Sequence, residues 1–148
     1  MDLALAEARL ALEEDEVPVG AVVMRDGLLL GRGHNRTRAL SDPTAHAEML
    51  AITAACQAVG EARLDGAELF VTLEPCPMCA GAIILARISR LHYAATDPRT
   101  GACGSLFNIV RDPRLNHQVE VYPGLAADEA GRLLEEFFAE KRDKPAAS

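Results

Sequence analysis

The chain is 148 residues long, carries a formal net charge of −7 at pH 7 and is 49% hydrophobic. That is the size of one folded domain with a real core and too small for two. The acidic balance argues against unspecific nucleic-acid binding, and no apolar run approaches the roughly 20 residues of a membrane span.

Residues 2 to about 15 alternate Leu and Ala with charge at helical spacing, which predicts an amphipathic helix ended by Pro18. The run contains Glu7 and Arg9 and no basic segment precedes it, so it fails as a signal peptide and a cytoplasmic location is expected. Residues 19–24 and 28–33 predict two strands joined by a hairpin turn at Arg25-Asp26-Gly27. A polar loop, 35–43, leads into a helix over 44–59 with Met49, Ile52, Ala55 and Val59 as its core stripe. Residues 67–73 are apolar almost throughout, as in a strand buried on both faces. A second helix runs from Cys76 to about Arg87, and its small Ala80-Gly81-Ala82 predicts close approach to the first. A fourth strand over 88–95, a loop over 97–105, a short helix through Val110 and a fifth strand over 118–122 follow. In the last helix, about 126–142, Phe137 and Phe138 are adjacent and point about 100° apart, which leaves room for one in the core and one outside. This order implies an α/β fold, a sandwich around a mixed five-stranded sheet, in a single domain over 1–148 with a frayed tail from about 143.

The chemistry concentrates in two segments. Cys76 and Cys79, three residues apart at a predicted helix start, can close on one ion, and His46 offers a third ligand. Three protein ligands leave a tetrahedral zinc with one corner open to water, the pattern of catalytic rather than structural zinc. Glu48 is a carboxylate two residues past His46, placed to carry protons between that water and a substrate. Residues two apart in a helix point about 200° away from each other, so His46 and Glu48 cannot both face an ion from mid-helix. They belong at a helix entrance, near Pro43-Thr44, and Cys76 after Pro75 belongs at another. The remaining cysteines, Cys56 and Cys103, read as a small buried hydrophobe and a more exposed loop residue; disulfides are not expected from this spacing.

His46-Ala47-Glu48 followed by Pro75-Cys76-Pro77-Met78-Cys79 resembles the signature of the zinc-dependent cytidine and adenosine deaminase superfamily. The segments 16–21, 34–36, 42–48, 71–82, 100–106, 116–117 and 137–138 are similar to the bacterial tRNA-specific adenosine deaminase branch, so the likeness spans almost the whole chain. The resemblance implies a cytidine-deaminase-like three-layer α/β/α sandwich, with one zinc ion per subunit on His46, Cys76 and Cys79. It implies Glu48 as proton carrier, and hydrolytic deamination of adenosine to inosine at the wobble position of a tRNA anticodon loop. It also implies a homodimer. Asn35 would bind the purine, where spacing alone favours a turn residue; Asp97 would hold substrate, where spacing alone also fits a turn cap before Pro98. An exposed Phe138 would stack on a base, where the sequence alone would place both phenylalanines in the core.

Charge placement bears on the RNA. Acidic runs at 13–16 and 135–136 fall on predicted helices, while Arg32, Arg36, Arg38, Arg99, Arg111 and Arg114 fall in predicted loops. Lys141 and Lys144 are the only lysines among fifteen basic residues, and Arg suits bidentate phosphate contacts. Two other readings stand beside this one. A deaminase of a free base or nucleoside, guanine or cytosine, fits the acidic charge better. A non-catalytic zinc domain that binds RNA would have no use for Glu48.

Overall fold

A computed structural model describes residues 1–143 of the chain. Ten elements follow in order: α1 (Asp2–Glu13), β1 (Gly20–Arg25), β2 (Leu28–His34), α2 (Ala47–Val59), β3 (Glu68–Leu73), α3 (Pro77–Leu85), β4 (Arg90–Ala95), a 3-10 turn (Ile109–Arg111), β5 (Glu120–Pro123) and α4 (Ala127–Asp143). The strands form one sheet in the order β2-β1-β3-β4-β5. β1 pairs antiparallel with both β2 and β3, while β3–β4 and β4–β5 are parallel. All strands except β1 therefore run the same way, and the sheet is mixed as the element order predicted.

Side chains alternate across the sheet and sort the helices into two layers. Ala21, Val23, Leu69, Val71, Leu91 and Tyr93 share one buried cluster with Ala51 and Ile52 of α2 and with Ala80 and Ile83 of α3. On the other face Ala94 packs with Leu5 of α1 and Ala130 of α4. The hairpin between β1 and β2 turns through Asp26 and Gly27, at φ 52° and 77°, the two positive angles that match the twist of the flanking strands.

Several local expectations change. α1 stops at Glu13, well before Pro18, because Asp15 turns the chain with φ 60°. α2 starts at Ala47 rather than Thr44: Asp42 Oδ1 accepts from the Thr44 N–H at 2.8 Å and holds that stretch in a turn. Its deepest residues are Ala47, Ala51 and Ala55, and Met49 and Val59 are only half-buried. The reason lies under the helix. A Cβ on Gly31 would sit 2.5 Å from Ala51 O and Ala55 N, and one on Gly33 2.8 Å from Leu50 Cβ. Bare backbone on β2 lets α2 descend onto the sheet, so small residues, not large ones, line its inner face. Of the small stretch 80–82, Ala80 and Ala82 pack in the cluster shared with α2, while Gly81 faces open space, since a Cβ there would meet nothing within 4 Å. α3 ends at Leu85, with Arg87 at φ 61°.

The strand over 67–73 is shorter at its start and only partly buried on its second face, where Glu68 and Phe70 are half-exposed. Cys103, expected to be exposed, is 3% exposed; Cys56, expected to be buried, is half-buried. All four cysteines are free thiols. Arg32 lies in β2 and Arg111 in the 3-10 turn, so neither is a loop residue. Phe137 is buried and Phe138 is 45% exposed, as the resemblance implied, where the sequence alone would place both in the core. α4 remains helical through Asp143, and the frayed tail expected from about 143 otherwise falls on residues 144–148, outside the described residues.

Candidate active site

Ligand sites in sheets of this kind form beyond the carboxyl ends of parallel strands. Here β2 ends into His34-Asn35, β3 into Glu74-Pro75-Cys76, and β4 into Thr96-Asp97. Those three ends surround a cavity of about 90 Å³ lined by Asn35, His46, Glu48, Glu74, Cys76 and Asp97, among others. Val17, Leu73, Asp97 and Thr100 also line a larger neighbouring cavity of about 660 Å³, whose far wall includes Arg99, Phe138, Lys141 and Arg142.

His46 and Cys76 are the residues immediately before α2 and α3, with extended backbone (φ −77°, ψ 152° and φ −74°, ψ 174°). Each main-chain carbonyl already accepts the first helical hydrogen bond, from Leu50 N at 3.1 Å and Ala80 N at 2.8 Å. The side chains can therefore leave the helix axis, which removes the conflict between His46 and Glu48 in a regular helix. Two helix N-termini, partial positive charges, point at the same small volume.

His46 Nδ1 lies 3.6 Å from Cys76 Sγ and 3.5 Å from Cys79 Sγ, and the three ligand atoms lie within 4.8 Å of one another. A tetrahedral zinc with ordinary Zn–N and Zn–S bonds would set each N···S edge at about 3.6 Å. The donor set, one imidazole and two thiols, suits zinc, so both chemistry and spacing fit the ion. Among the described residues this is the only cluster of three His, Cys, Asp or Glu that could hold a metal.

Electrostatics follow from burial and contact. Glu48 is 4% exposed, and burial raises its pKa above the usual carboxylate range. The hydrogen bond from the Cys79 thiol, helped by His46, lowers Cys76 to about 4, so negative charge collects on its sulfur. Cys79 is raised by the same contact and by burial. His46 is raised chiefly by its hydrogen bond to Cys76.

The substrate-side candidates are held by backbone donors. Asn35 Oδ1 accepts from the Ala47 N–H at 2.8 Å. A backbone N–H can only donate, so this bond fixes the amide orientation and leaves Nδ2 as the atom for a ligand. Asp97 is turn cap and cavity wall at once: Oδ1 accepts from Arg99 N (3.0 Å) and Thr100 N (3.2 Å), and Oδ2 from Thr100 Oγ1 (2.8 Å). Phe138 lines the larger cavity, not the small one beside the metal ligands.

Three buried carboxylates escaped the sequence reading: Glu7 of α1, 6% exposed and bonded to His34 Nδ1 at 2.8 Å, Glu16 and Glu74. Glu16, placed there on a helical acidic run, lies beyond α1, is 1% exposed and accepts from Arg38 N (3.1 Å) and Ala39 N (2.8 Å). Glu74 is 2% exposed and takes backbone donors from the loop after β4. An acid directly following the apolar run 69–73, where another apolar residue would be expected, was the signal available.

Comparison with known proteins agrees with this geometry. The family model for the cytidine and deoxycytidylate deaminase zinc-binding region matches residues 1–95. A tRNA-specific adenosine deaminase of Agrobacterium fabrum is 54% identical over 142 residues, 96% of this chain and 93% of that protein. One of Bacillus subtilis is 47% identical over 148 residues, 100% of this chain and 92% of that protein. The chain belongs to the zinc-dependent deaminase family, in its tRNA-specific adenosine deaminase branch. A solved structure from work on A-to-I editing by tRNA:A34 deaminases superposes with TM-score 0.87 at 54% identity, covering 90% of this chain and 97% of that one. A guanine deaminase from Nitrosomonas europaea superposes with TM-score 0.78 at 32% identity, covering 93% and 82%. The deaminase-like sandwich expected from the motifs is the fold observed, and His46, Cys76 and Cys79 are its candidate zinc site.

Proposed function

We propose that this deaminase converts adenosine to inosine at the wobble position of a tRNA anticodon loop. The observation that carries the reading is near-full-length identity of 54% and 47% to tRNA-specific adenosine deaminases, joined to a buried acid beside a three-ligand metal corner.

Zinc, when bound, supplies a Lewis acid that lowers the pKa of a water from about 15.7 to about 7. Glu48, held out of solvent, takes a proton from the attacking water and gives it to the purine ring nitrogen N1, then takes the proton of the new C6 hydroxyl and gives it to the amino group leaving C6. Water enters and ammonia leaves, with no net proton change on the carboxylate. Asn35 Nδ2 donates to an acceptor on the purine edge and orients the base. The Asp97–Thr100 turn borders both cavities and positions the nucleotide where the base enters. Phe138, on the wall of the larger cavity, stacks on a neighbouring base, and Arg99 and Arg142 of the same wall favour phosphate there, while Lys141 is held by Asp15.

This local basic rim answers the objection from the net charge of −7. Arg32, Arg36, Arg38 and Arg114 are engaged by Glu7, Glu14, Asp15 and Asp112, which weakens them as phosphate ligands. The whole chain acts as one deaminase domain, in the cytoplasm where tRNA is read, and as a homodimer. In support of the dimer, Leu85 is 77% exposed beside an apolar groove between α2 and α3 lined by Ile52, Cys56 and Ala82. No helix of the described residues is long and apolar enough to cross a membrane.

Deamination of free guanine is the second reading, favoured by the 32% identity to a guanine deaminase. The test incubates purified, zinc-loaded protein with total tRNA, an anticodon stem-loop, free adenosine, guanine and cytidine. Adenosine read as guanosine at the wobble position after reverse transcription supports the proposal. Ammonia from guanine alone supports the second reading, and turnover of none, with zinc bound, supports a binding domain. Glu48→Ala is expected to keep zinc and lose about 10²-fold or more of turnover.

A further inference from the structure

We infer that Glu74 is a positioning residue for the RNA substrate: its buried carboxylate clamps the loop after β4 against the segment that carries Cys76. The inference rests on the reading that this loop, through Asp97 and Thr100, borders bound substrate. Glu74 Oε1 accepts from Asp97 N at 3.0 Å and from the Ser105 hydroxyl. Its Oε2 accepts from Cys103 N at 3.1 Å and Ser105 N at 3.0 Å. Four donors fill the four acceptor sites of an ionised carboxylate. Three are main-chain groups spaced along the loop, so one side chain fixes the loop's beginning, middle and end.

The loop is shaped to meet it. A Cβ at Gly101 would overlap Glu74 Cδ and stand 2.5 Å from Oε2. Gly101 N also donates to Asp97 O at 2.8 Å, and Ala102 N donates to Pro75 O at 2.8 Å. The same loop is thus tied to Glu74 by side chain and to Pro75 by backbone, immediately before the ligand Cys76. Asp97 and Thr100, which wall both cavities, hang from this clamp. The carboxylate cannot be replaced by an amide of the same shape. Gln offers one oxygen, and even with that oxygen turned to Cys103 N and Ser105 N its NH₂ would face the Asp97 N–H, a donor against a donor.

The test is Glu74→Gln in the full-length, zinc-loaded protein, with Ser105→Ala as a milder second variant. KM for the stem-loop is expected to rise about tenfold or more, with kcat within about threefold of wild type and one zinc per chain. Amide exchange at residues 97, 103 and 105 is expected to accelerate while α2 and α3 stay protected. Unchanged KM and unchanged loop exchange in the Gln variant would overturn the inference. So would a fall in kcat that tracks loss of zinc, the mark of a general support. If Glu74→Gln does not fold, Ser105→Ala decides: a raised KM with zinc retained supports the clamp, and wild-type KM with wild-type exchange overturns it. Failure of wild-type protein to act on the stem-loop would instead strike the proposed function. The exchange measurement still reads the clamp in that case.

Discussion

Asn35 accepts a hydrogen bond from the N–H of Ala47, the residue next to His46. One side chain therefore joins the loop after β2 to the start of the helix that bears a metal ligand and Glu48. Capping and substrate contact draw on opposite ends of the same amide. Asn35→Asp keeps the acceptor and removes the donor, so stability should hold within about 1 kcal/mol while kcat/KM falls on the order of 10²-fold. Asn35→Ala loses both and should also unfold more easily, by about 0.5–2 kcal/mol. Thermal melts beside stem-loop kinetics check the pair of outcomes.

Phe137 and Phe138 are adjacent, in edge contact at 5.3 Å between ring centroids, and should answer to different assays. Phe137→Ala opens a void under α4 and is expected to cost about 3–5 kcal/mol in urea unfolding. Phe138→Ala should be nearly silent there and raise KM for the stem-loop about tenfold or more, in line with about 1–3 kcal/mol per stacked base. Equal effects of the two on stability would argue against the division.

Gly31→Ala adds one methyl group where α2 lies closest to β2. The atoms it meets, Ala51 O and Ala55 N, are backbone and cannot rotate away. A loss of at least about 1–3 kcal/mol is expected from denaturant midpoints, with weakened zinc retention because the start of α2 must move.

Lys141, and after it Arg38, hold the Asp15 carboxyl down at about 2, below its ordinary 3.8. A depressed folded-state pKa makes a stabilising contribution that is present above pH 3.8 and disappears as pH falls through about 2. Asp15→Asn keeps a residue type that tolerates the φ of 60°. Wild type should melt higher than Asp15→Asn at pH 6, with the gap closing between about pH 4 and 2 and shrinking in high salt. A gap constant across that range would count against the ion pair with Lys141.

Much of this molecule could be read in advance because periodicity and motif spacing are local signals. The five strands, the helix start at Cys76 and the placing of His46 near a helix entrance all came from such patterns. What escaped depends on atoms distant in sequence. Gly31 and Gly33 gain meaning only with α2 on top of them, and this shifted the buried row of that helix to Ala47, Ala51 and Ala55. Glu16 was read only as part of an acidic run and Glu74 was given no task, because their partners are backbone N–H groups more than twenty residues away. Cys103 is buried because Glu74 draws its loop inward.

Both ligand-bearing helices begin at the ion-binding corner and then lead away from it, while the walls of the entrance come from chain segments after β2 and β4 and from α4. Reactivity and selectivity are thus housed in separable parts of one small scaffold. An engineer could exchange those entrance segments to admit another nucleobase, provided the acidic tethers beneath them are transplanted too, and leave the bond-breaking centre untouched.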